Sequence, residues 1–423
     1  MSSSHSSPDR RHPSEHEESL SEAVLDASST QNLVPEKYHK YLDKLREGIR
    51  DFCKEFGIPN EALRSVETFG MALNASHIPA ERMTAGALLF ERLEHLVTYG
   101  EPLRETSSEY LEDAERLYNI RKQYDAQVTL LEQVGILNDG VITGIDGEEY
   151  PIPTLEQIVQ RLHEREKDLY TKRDQGFTKL LLVPFGMSLD ALSNILRKFL
   201  LTYGGIHPDF HLDARNPFYT DEDFRMAKTM DSSLIYFPKV FDRDHHQGKT
   251  KADILKDQNQ DPDSSFPGWM VHLFQPSHPG DVDSKGFIPI CRDSQNIVFR
   301  GEENPRPDFG TGKAPSDYLS ILQEAKDDPL SPYSQESGLT PEDWIIAFMT
   351  QLQETGKTLD TWRHDDTSVT AELIGAFFLY PENDAIAVPC AYWNGTQPWA
   401  CLSLAGHDTR ENWDAGVRTS VIV

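Results

Sequence analysis

The segment 338–356, GLTPEDWIIAFMTQLQETG, contains the signals of one complete helix. Thr340 is a residue type that caps helix N-termini, and Pro341 follows at the first helical position, where the missing N–H is tolerated. Apolar side chains then recur at helical spacing, at Trp344, Ile345, Phe348 and Leu352. Gly356 is a usual C-terminal stop. The segment therefore predicts a helix at the start of a C-terminal module, 339–423.

Upstream of this helix, the composition changes three times along the chain. Residues 1–32 are rich in Ser, His and Glu and nearly free of aliphatic side chains, which predicts a disordered tail. Helical spacing of apolar residues predicts a helical bundle over 33–135. Residues 136–338 combine capped helices, short β-prone runs and loops rich in Asp, Pro and Gly, which predicts a mixed α/β scaffold with long loops. The predicted fold class is α+β.

The net charge restricts the partners. The chain has 41 Lys and Arg against 69 Asp and Glu, a formal charge of −28. Phosphate backbones and anionic membranes are bound through Lys and Arg, so neither nucleic acid nor a membrane is an expected partner. No apolar run has the length of a membrane span, and no signal peptide is evident. A soluble, cytoplasmic protein is expected, and its four cysteines are too few for a disulfide scaffold.

One group of residues suggests metal chemistry as an alternative. His211 and Asp213 alternate in a stretch that can be extended, so both side chains can project from one face. His272 lies in a β-prone run and can supply a second imidazole. Two histidines and one carboxylate are the ligands of an open non-haem iron site. This reading predicts a metal-dependent enzyme similar to iron oxygenases, whereas a polar loop is the plain structural explanation of the same residues.

Two resemblances cover the second half of the chain. Residues 135–423 resemble a group of uncharacterised bacterial proteins, through APSDYL at 314–319, GLTPEDW at 338–344 and GFTKLLLVPFGM at 176–187. The closing WDAGVR at 413–418, followed by a β-branched strand, resembles the end of the C-type-lectin fold of formylglycine-generating enzymes, the sulfatase-modifying factors. Variable proteins of diversity-generating retroelements use this fold to display a changeable binding surface.

The second resemblance implies a ligand-binding surface before the last strand, composed of Tyr392, Trp393, Asn394, Gln397, Trp399, His407, Asp408, Arg410, Asn412 and Trp413. Aromatic and small polar side chains of this kind are typical of binding surfaces. The preferred hypothesis is therefore a soluble, non-enzymatic protein without a cofactor. It binds a protein or glycan ligand through a C-type-lectin-like module. If the resemblance includes the variable proteins of retroelements, the surface of this module is also diversified. The alternative is the iron enzyme built on His211, Asp213 and His272.

Overall fold

A computed structural model of the chain contains two compact units, Met1–Glu105 and Thr106–Val423. The residues that the structure describes are 34–35, 38–59, 69, 71–72, 89, 92–93, 96–97, 108–220, 233–261, 266–281, 283–290, 309–326, 328, 330–365, 367–380, 385–406 and 412–423. The tail predicted at 1–32 lies outside them. Helices combine with largely antiparallel sheets, so the protein is a mixed α/β fold.

In the first unit, helix α1 spans His39–Phe56. Its buried side chains lie three or four residues apart and join Leu93 and Leu96 in one apolar cluster; they are Leu42, Leu45, Ile49 and Phe52. Gly57 ends the helix with a φ of 65°, the left-handed conformation that glycine adopts at little cost. The helical spacing seen in this part of the sequence is confirmed, and the rest of the predicted bundle in this unit falls largely outside the described residues.

The second unit contains the other helices and strands whose bounds the structure gives. Its helices are α2 (Ser108–Tyr118), α3 (Ile120–Gln133), α4 (Leu155–Glu164), α5 (Glu166–Asp174), α6 (Leu189–Ile206), α7 (Lys251–Gln260), α8 (Pro315–Lys326) and α9 (Pro341–Thr355). Its strands are β1 (Val141–Thr143), β2 (Glu149–Pro151), β3 (Lys179–Val183), β4 (Phe218–Thr220), β5 (Leu234–Tyr236), β6 (Met270–Phe274), β7 (Glu336–Gly338), β8 (Thr361–Trp362), β9 (Thr370–Glu372), β10 (Ala376–Leu379), β11 (Ile386–Asn394), β12 (Trp399–Gly406), β13 (Ala415–Val417) and β14 (Thr419–Ile422). None of the helices described is long and apolar enough to cross a membrane.

The strands form two main sheets and a small hairpin, β1–β2. The first sheet is antiparallel, in the order β3-β6-β14-β7. The second has eight strands and is built on β11, which pairs with β12 along one edge. Along its other edge, β11 pairs in turn with β10, β9 and β8. Strands β5, β13 and β4 extend this sheet beside β10, β9 and β12.

Helix α9 contacts β3 of one sheet and β11 of the other. All residues from Pro341 to Leu352 are buried, as expected for a helix enclosed on every side. The Thr340 hydroxyl accepts a hydrogen bond from the Asp343 backbone N–H, and Gly356 ends the helix with a φ of 68°. The helix predicted from the cap, the proline and the glycine is therefore confirmed.

The first turn of α9 carries two fully buried carboxylates, Glu342 and Asp343. Glu342 Oε1 lies 2.8 Å from Lys251 Nζ of α7 and accepts a hydrogen bond from the Tyr236 hydroxyl of β5 at 2.8 Å. Asp343 Oδ1 lies 3.1 Å from His272 Nε2 of β6. Buried charges are tolerated only when they are paired, and the helix N-terminus also favours negative charge. The two carboxylates therefore link α9 to both sheets and to α7.

Helix α3 covers the outer edge of β3 with two glutamines one turn apart. Gln127 Nε2 donates to Leu180 O at 2.9 Å, and its Oε1 accepts from Leu182 N at 3.0 Å. Gln123 makes the equivalent pair of bonds with Thr178 O and Leu180 N. The side-chain amides take the place of a neighbouring strand and satisfy backbone groups that an edge strand leaves unpaired.

The observed division after Glu105 differs from the boundary predicted at residue 135, because α2 and α3 pack on the second unit. Their apolar side chains belong to its main core, among them Ala114, Tyr118, Ile120, Leu130 and Leu131. Helical spacing shows that a segment has a buried face, but it does not identify the surface on which that face packs.

The predicted boundary between 136–338 and 339–423 does not separate two structures either. Strands from both segments share the sheets: β14 pairs with β6, β12 with β4, and β10 with β5. Arg418, between β13 and β14, is buried; it donates to Asp360 Oδ1 at 2.7 Å and to the carbonyl oxygen of Ile288. The C-terminal segment is therefore part of the second unit.

We expect Lys251→Met to lower the free energy of unfolding by about 3–5 kcal/mol, because it leaves the Glu342 carboxylate buried without a counter-charge. The double variant Lys251→Met/Glu342→Gln should recover most of this loss, since the buried charge is removed as well. Urea unfolding at pH 7 followed by circular dichroism measures both.

The matched control is Lys249→Met, which removes an exposed ion pair with Asp257. Exposed pairs contribute little to stability, so this variant should unfold at the same urea concentration as the wild type. If Lys251→Met and Lys249→Met lower the free energy of unfolding by the same amount, the structural role of the buried pair is contradicted.

Candidate ligand-binding site

The two faces of the eight-stranded sheet have different surroundings. Successive side chains of a strand point to opposite faces. Ala391 and Trp393 of β11 belong to the main core, on the inner face that also contacts α9. Cys390, Tyr392 and Asn394 therefore lie on the outer face.

Helix α8 covers only part of the outer face. Val388 of β11, Phe377 of β10 and Ile235 of β5 form an apolar cluster with Tyr318 and Leu322 of α8. The cluster does not reach the last residues of β11, and there the outer face opens into a cleft.

This aromatic cleft has a volume of about 340 Å³ and is lined by Tyr219, Trp362, His364, Tyr392, Asn394, Thr396, Gln397 and Trp399. The lining comes from β4, β8, β11 and β12, from the turn between β11 and β12, and from the residues after β8. Its volume is within the range of about 300–1,000 Å³ that is typical of small-molecule sites. Among these described residues there is no carboxylate, ammonium or guanidinium group.

Trp362 is anchored by a carboxylate. Its Nε1–H donates to Asp414 Oδ2 at 2.7 Å. The ring contacts that of His364, with centroids 3.6 Å apart, and its centroid lies 5.9 Å from that of Tyr392. Because the single polar group of the indole is already bound, Trp362 contributes only apolar ring surface to the cleft.

The short strand β8 that carries Trp362 is bounded by two residues with left-handed backbone. Asp360 has a φ of 50° and His364 a φ of 60°. Such conformations cost energy in residues other than glycine and persist only where surrounding contacts hold them. The Asp360 carboxylate accepts from Arg418 at 2.7 Å and from the Trp344 indole at 3.1 Å. These bonds fix the backbone that positions Trp362.

The turn between β11 and β12 is built on Asn394, which is 6 % exposed. Its Oδ1 accepts hydrogen bonds from Thr396 N at 3.0 Å and from Gln397 N at 2.8 Å. With the oxygen bound in this way, Nδ2 has no hydrogen-bond partner within the described residues, and Asn394 lines the cleft. Asn394 therefore provides an ordered donor.

Trp399 and Tyr219 form a second pair of rings on the outer face of the sheet. Their centroids are 5.9 Å apart and their planes differ by 30°. The pair forms because β4 runs parallel to β12, with Tyr219 opposite Cys401.

Burial, together with a hydrogen bond to the Cys401 side chain, raises the pKa of the neighbouring Tyr392 hydroxyl.

A buried carboxyl group lies on the same face as the cleft. Glu372 of β9 is opposite Cys390 in the sheet and is 2 % exposed. Burial, and to a smaller extent the charge of Asp414, raises the pKa of Glu372 to about 8. Its Oε2 has no hydrogen-bond partner in the described part of the chain. The carboxyl group is therefore mainly protonated at pH 7, and it lies outside the lining of the cleft.

Four of the ten side chains predicted from the sequence line the cleft, namely Tyr392, Asn394, Gln397 and Trp399. Trp393 does not, because strand alternation places it on the inner face, where its ring packs against that of Phe348. Asn412 and Trp413 are described but are not part of the lining, although Trp413 is 59 % exposed. The remaining three predicted residues, His407, Asp408 and Arg410, lie outside the described residues.

The prediction missed Tyr219, Trp362, His364 and Thr396. Trp362 belongs to the tryptophan-rich C-terminal part of the chain, so composition gave one signal for it. Tyr219 has no local signal, because it reaches the site through parallel pairing of β4 with a distant strand. The prediction from sequence therefore included the β11–β12 hairpin and missed the neighbouring strands.

The alternative iron site predicted from His211, Asp213 and His272 does not assemble. His211 and Asp213 lie in the loop after α6, whereas His272 is fully buried in β6. The His272 ring has Nδ1 2.9 Å from Ser420 Oγ and Nε2 3.1 Å from Asp343 Oδ1. Within the described residues, no group of three or more His, Cys, Asp or Glu side chains is arranged to hold a metal ion.

Glu372 should make stability depend on pH. Its pKa is raised from 4.5 to about 8, so the folded chain keeps a proton that the unfolded chain releases. The free energy of unfolding should therefore fall as pH rises between about 5 and 8, by up to roughly 1.4 kcal/mol per pH unit from this group. Glu372→Gln should remove this slope. Urea unfolding at pH 5, 6.5 and 8 measures it.

Glu164→Gln, which changes an exposed carboxylate on α4, serves as the control and should follow the wild-type pH profile. A Glu372→Gln variant with the wild-type slope would show that Glu372 does not titrate in this pH range.

Comparison with known proteins gives no match to this chain, whether with protein-family models, curated proteins or solved structures. The similarity to C-type-lectin folds remains an expectation from the sequence. The candidate site is therefore defined by its own geometry: an aromatic cleft with an ordered amide donor on the outer face of a sheet.

Proposed function

We propose that this protein is a non-enzymatic binding protein that holds its ligand in the aromatic cleft. The observation that supports it is the convergence of four aromatic rings and the Asn394 amide on the outer face of the sheet. Concave sites of this composition, with a few placed polar groups, are typical of ligand binding. Rigid aromatic side chains provide large contact area at a small entropy cost.

The described lining contains one imidazole and no carboxyl or thiol group, which supports binding over catalysis. A catalytic site needs a nucleophile, an acid or a base within hydrogen-bonding distance of its ligand. Glu372, the acid with the raised pKa, lies outside the lining, and the thiols of Cys390 and Cys401 are buried. The histidine of the lining, His364, contacts the Trp362 ring.

We also propose that the residues immediately before β13 form the rim of the cleft, as expected for a C-type-lectin-like module with a diversified surface. Asp414 bonds to Trp362 of the cleft, so the last of these residues lies beside it. Trp413 precedes Asp414 and is exposed. Asn412 and Trp413 then become ligand contacts. The N-terminal helical bundle is a separate module in this proposal, and the protein acts in the cytoplasm.

Trp399→Ala and Tyr219→Ala should each weaken ligand binding at least tenfold without a measurable fall in melting temperature, because both side chains are partly exposed. The probes are neutral saccharides, aromatic amino acids, quaternary ammonium ions and short neutral peptides, titrated into the full chain by calorimetry. At least one of these classes should bind the wild type.

Two further variants serve as controls. Tyr170→Ala removes an exposed aromatic ring on α5, outside the cleft, and should leave binding unchanged. Trp393→Ala should instead lower stability by about 3–5 kcal/mol, because it empties a core position. If no probe binds the wild type, or if the two cleft variants bind as tightly as the wild type, the proposed function is wrong.

A further inference from the structure

The free hydrogen-bonding groups of the aromatic cleft include two ordered N–H donors. Asn394 Nδ2 is one, because its side-chain oxygen is bound to the turn. The Trp399 indole Nε1–H is the other, since it has no hydrogen-bond partner within the described residues. Thr396 and Gln397 add an exposed hydroxyl and an exposed amide. A ligand that matches these groups carries several oxygen acceptors.

The aromatic rings provide flat apolar surface beside these donors. Trp399 and Tyr219 form a two-ring platform, with planes that differ by 30°. Trp362 and Tyr392 provide a second pair, with centroids 5.9 Å apart. Aromatic faces carry partial negative charge and attract the weakly positive C–H groups of a ligand. The complementary ligand therefore combines a C–H face with a polar edge.

The described lining of the cleft carries no ionic side chain. Phosphate groups and nucleic acids require Lys or Arg, and the described lining has neither. A cation would be attracted to the rings, but the described lining offers it no carboxylate. Asp414 is bound to the Trp362 indole, and the Glu372 carboxyl group is mainly protonated at pH 7. A neutral ligand therefore matches the described lining.

We propose that the ligand of the aromatic cleft is a neutral carbohydrate, whose C–H face stacks on Trp399 and Tyr219 and whose oxygens accept hydrogen bonds from Asn394 Nδ2. The proposal rests on the proposed function of the cleft as a binding site. A sugar ring combines a flat C–H face with a rim of hydroxyl groups and carries no charge. The saccharide is either free in solution or attached to a protein.

The test uses the full chain and two variants. Neutral hexoses, N-acetylhexosamines and their linked oligomers are titrated by calorimetry, and a glycoprotein is compared before and after enzymatic deglycosylation by surface plasmon resonance. Asn394→Asp keeps the oxygen that accepts from the turn and removes the donor, so it should weaken saccharide binding by about three- to tenfold with an unchanged melting temperature. Trp399→Ala should weaken it more than tenfold.

Each outcome decides between the proposals. Binding of free oligosaccharides supports a soluble saccharide, and binding of the glycoprotein that is lost on deglycosylation supports an attached glycan. A third outcome is that saccharides do not bind, whereas tetramethylammonium binds and does so more tightly to Asn394→Asp than to the wild type. In that case the proposed carbohydrate ligand is wrong, and the proposed binding function stands. If no probe binds, both proposals fail.

Asn138→Asp adds the same charge at an exposed turn outside the cleft and should bind saccharides as the wild type does. If saccharides bind but neither Asn394→Asp nor Trp399→Ala weakens them, the ligand lies elsewhere and the assignment to the cleft is overturned.

Discussion

Two adjacent carboxylates in the first turn of α9 have no contact with water, and each requires a complementary partner from another element. Glu342 binds Lys251 of α7 and Tyr236 of β5, whereas Asp343 contacts His272 of β6. Since β5 and β6 belong to different sheets, the two carboxylates fix both sheets against one helix.

The same helix supports the candidate site from behind. Trp344, one residue after the carboxylate pair, donates its indole N–H to Asp360, which also binds Arg418. Asp360 has left-handed backbone and immediately precedes β8. The contacts of its carboxylate with Trp344 and Arg418 therefore set the direction in which the chain enters β8, and with it the position of the Trp362 ring. The cleft is therefore a surface feature whose geometry is determined by buried polar groups.

Local signals in the sequence predicted local structure well. The cap, proline and glycine around 340–356 predicted α9, because each acts on its own backbone. The composition of the β11–β12 hairpin pointed to Tyr392, Asn394, Gln397 and Trp399. It did not distinguish Trp393, whose orientation follows from strand alternation. Tyr219 and the packing of α2 and α3 were beyond prediction, because they depend on contacts between distant segments.

The sharing of sheets between early and late strands has a consequence for folding kinetics. Phe218 of β4 pairs with Ala400 of β12, and Ile235 of β5 pairs with Phe377 of β10. Pairing between such distant segments gives a high contact order. A large loop must close, at a cost in chain entropy, before the pairing contacts form, and this slows folding. Until the late strands arrive, β4 and β5 have unpaired edges. Newly made chains are then exposed to aggregation during an interval in which a chaperone is of use.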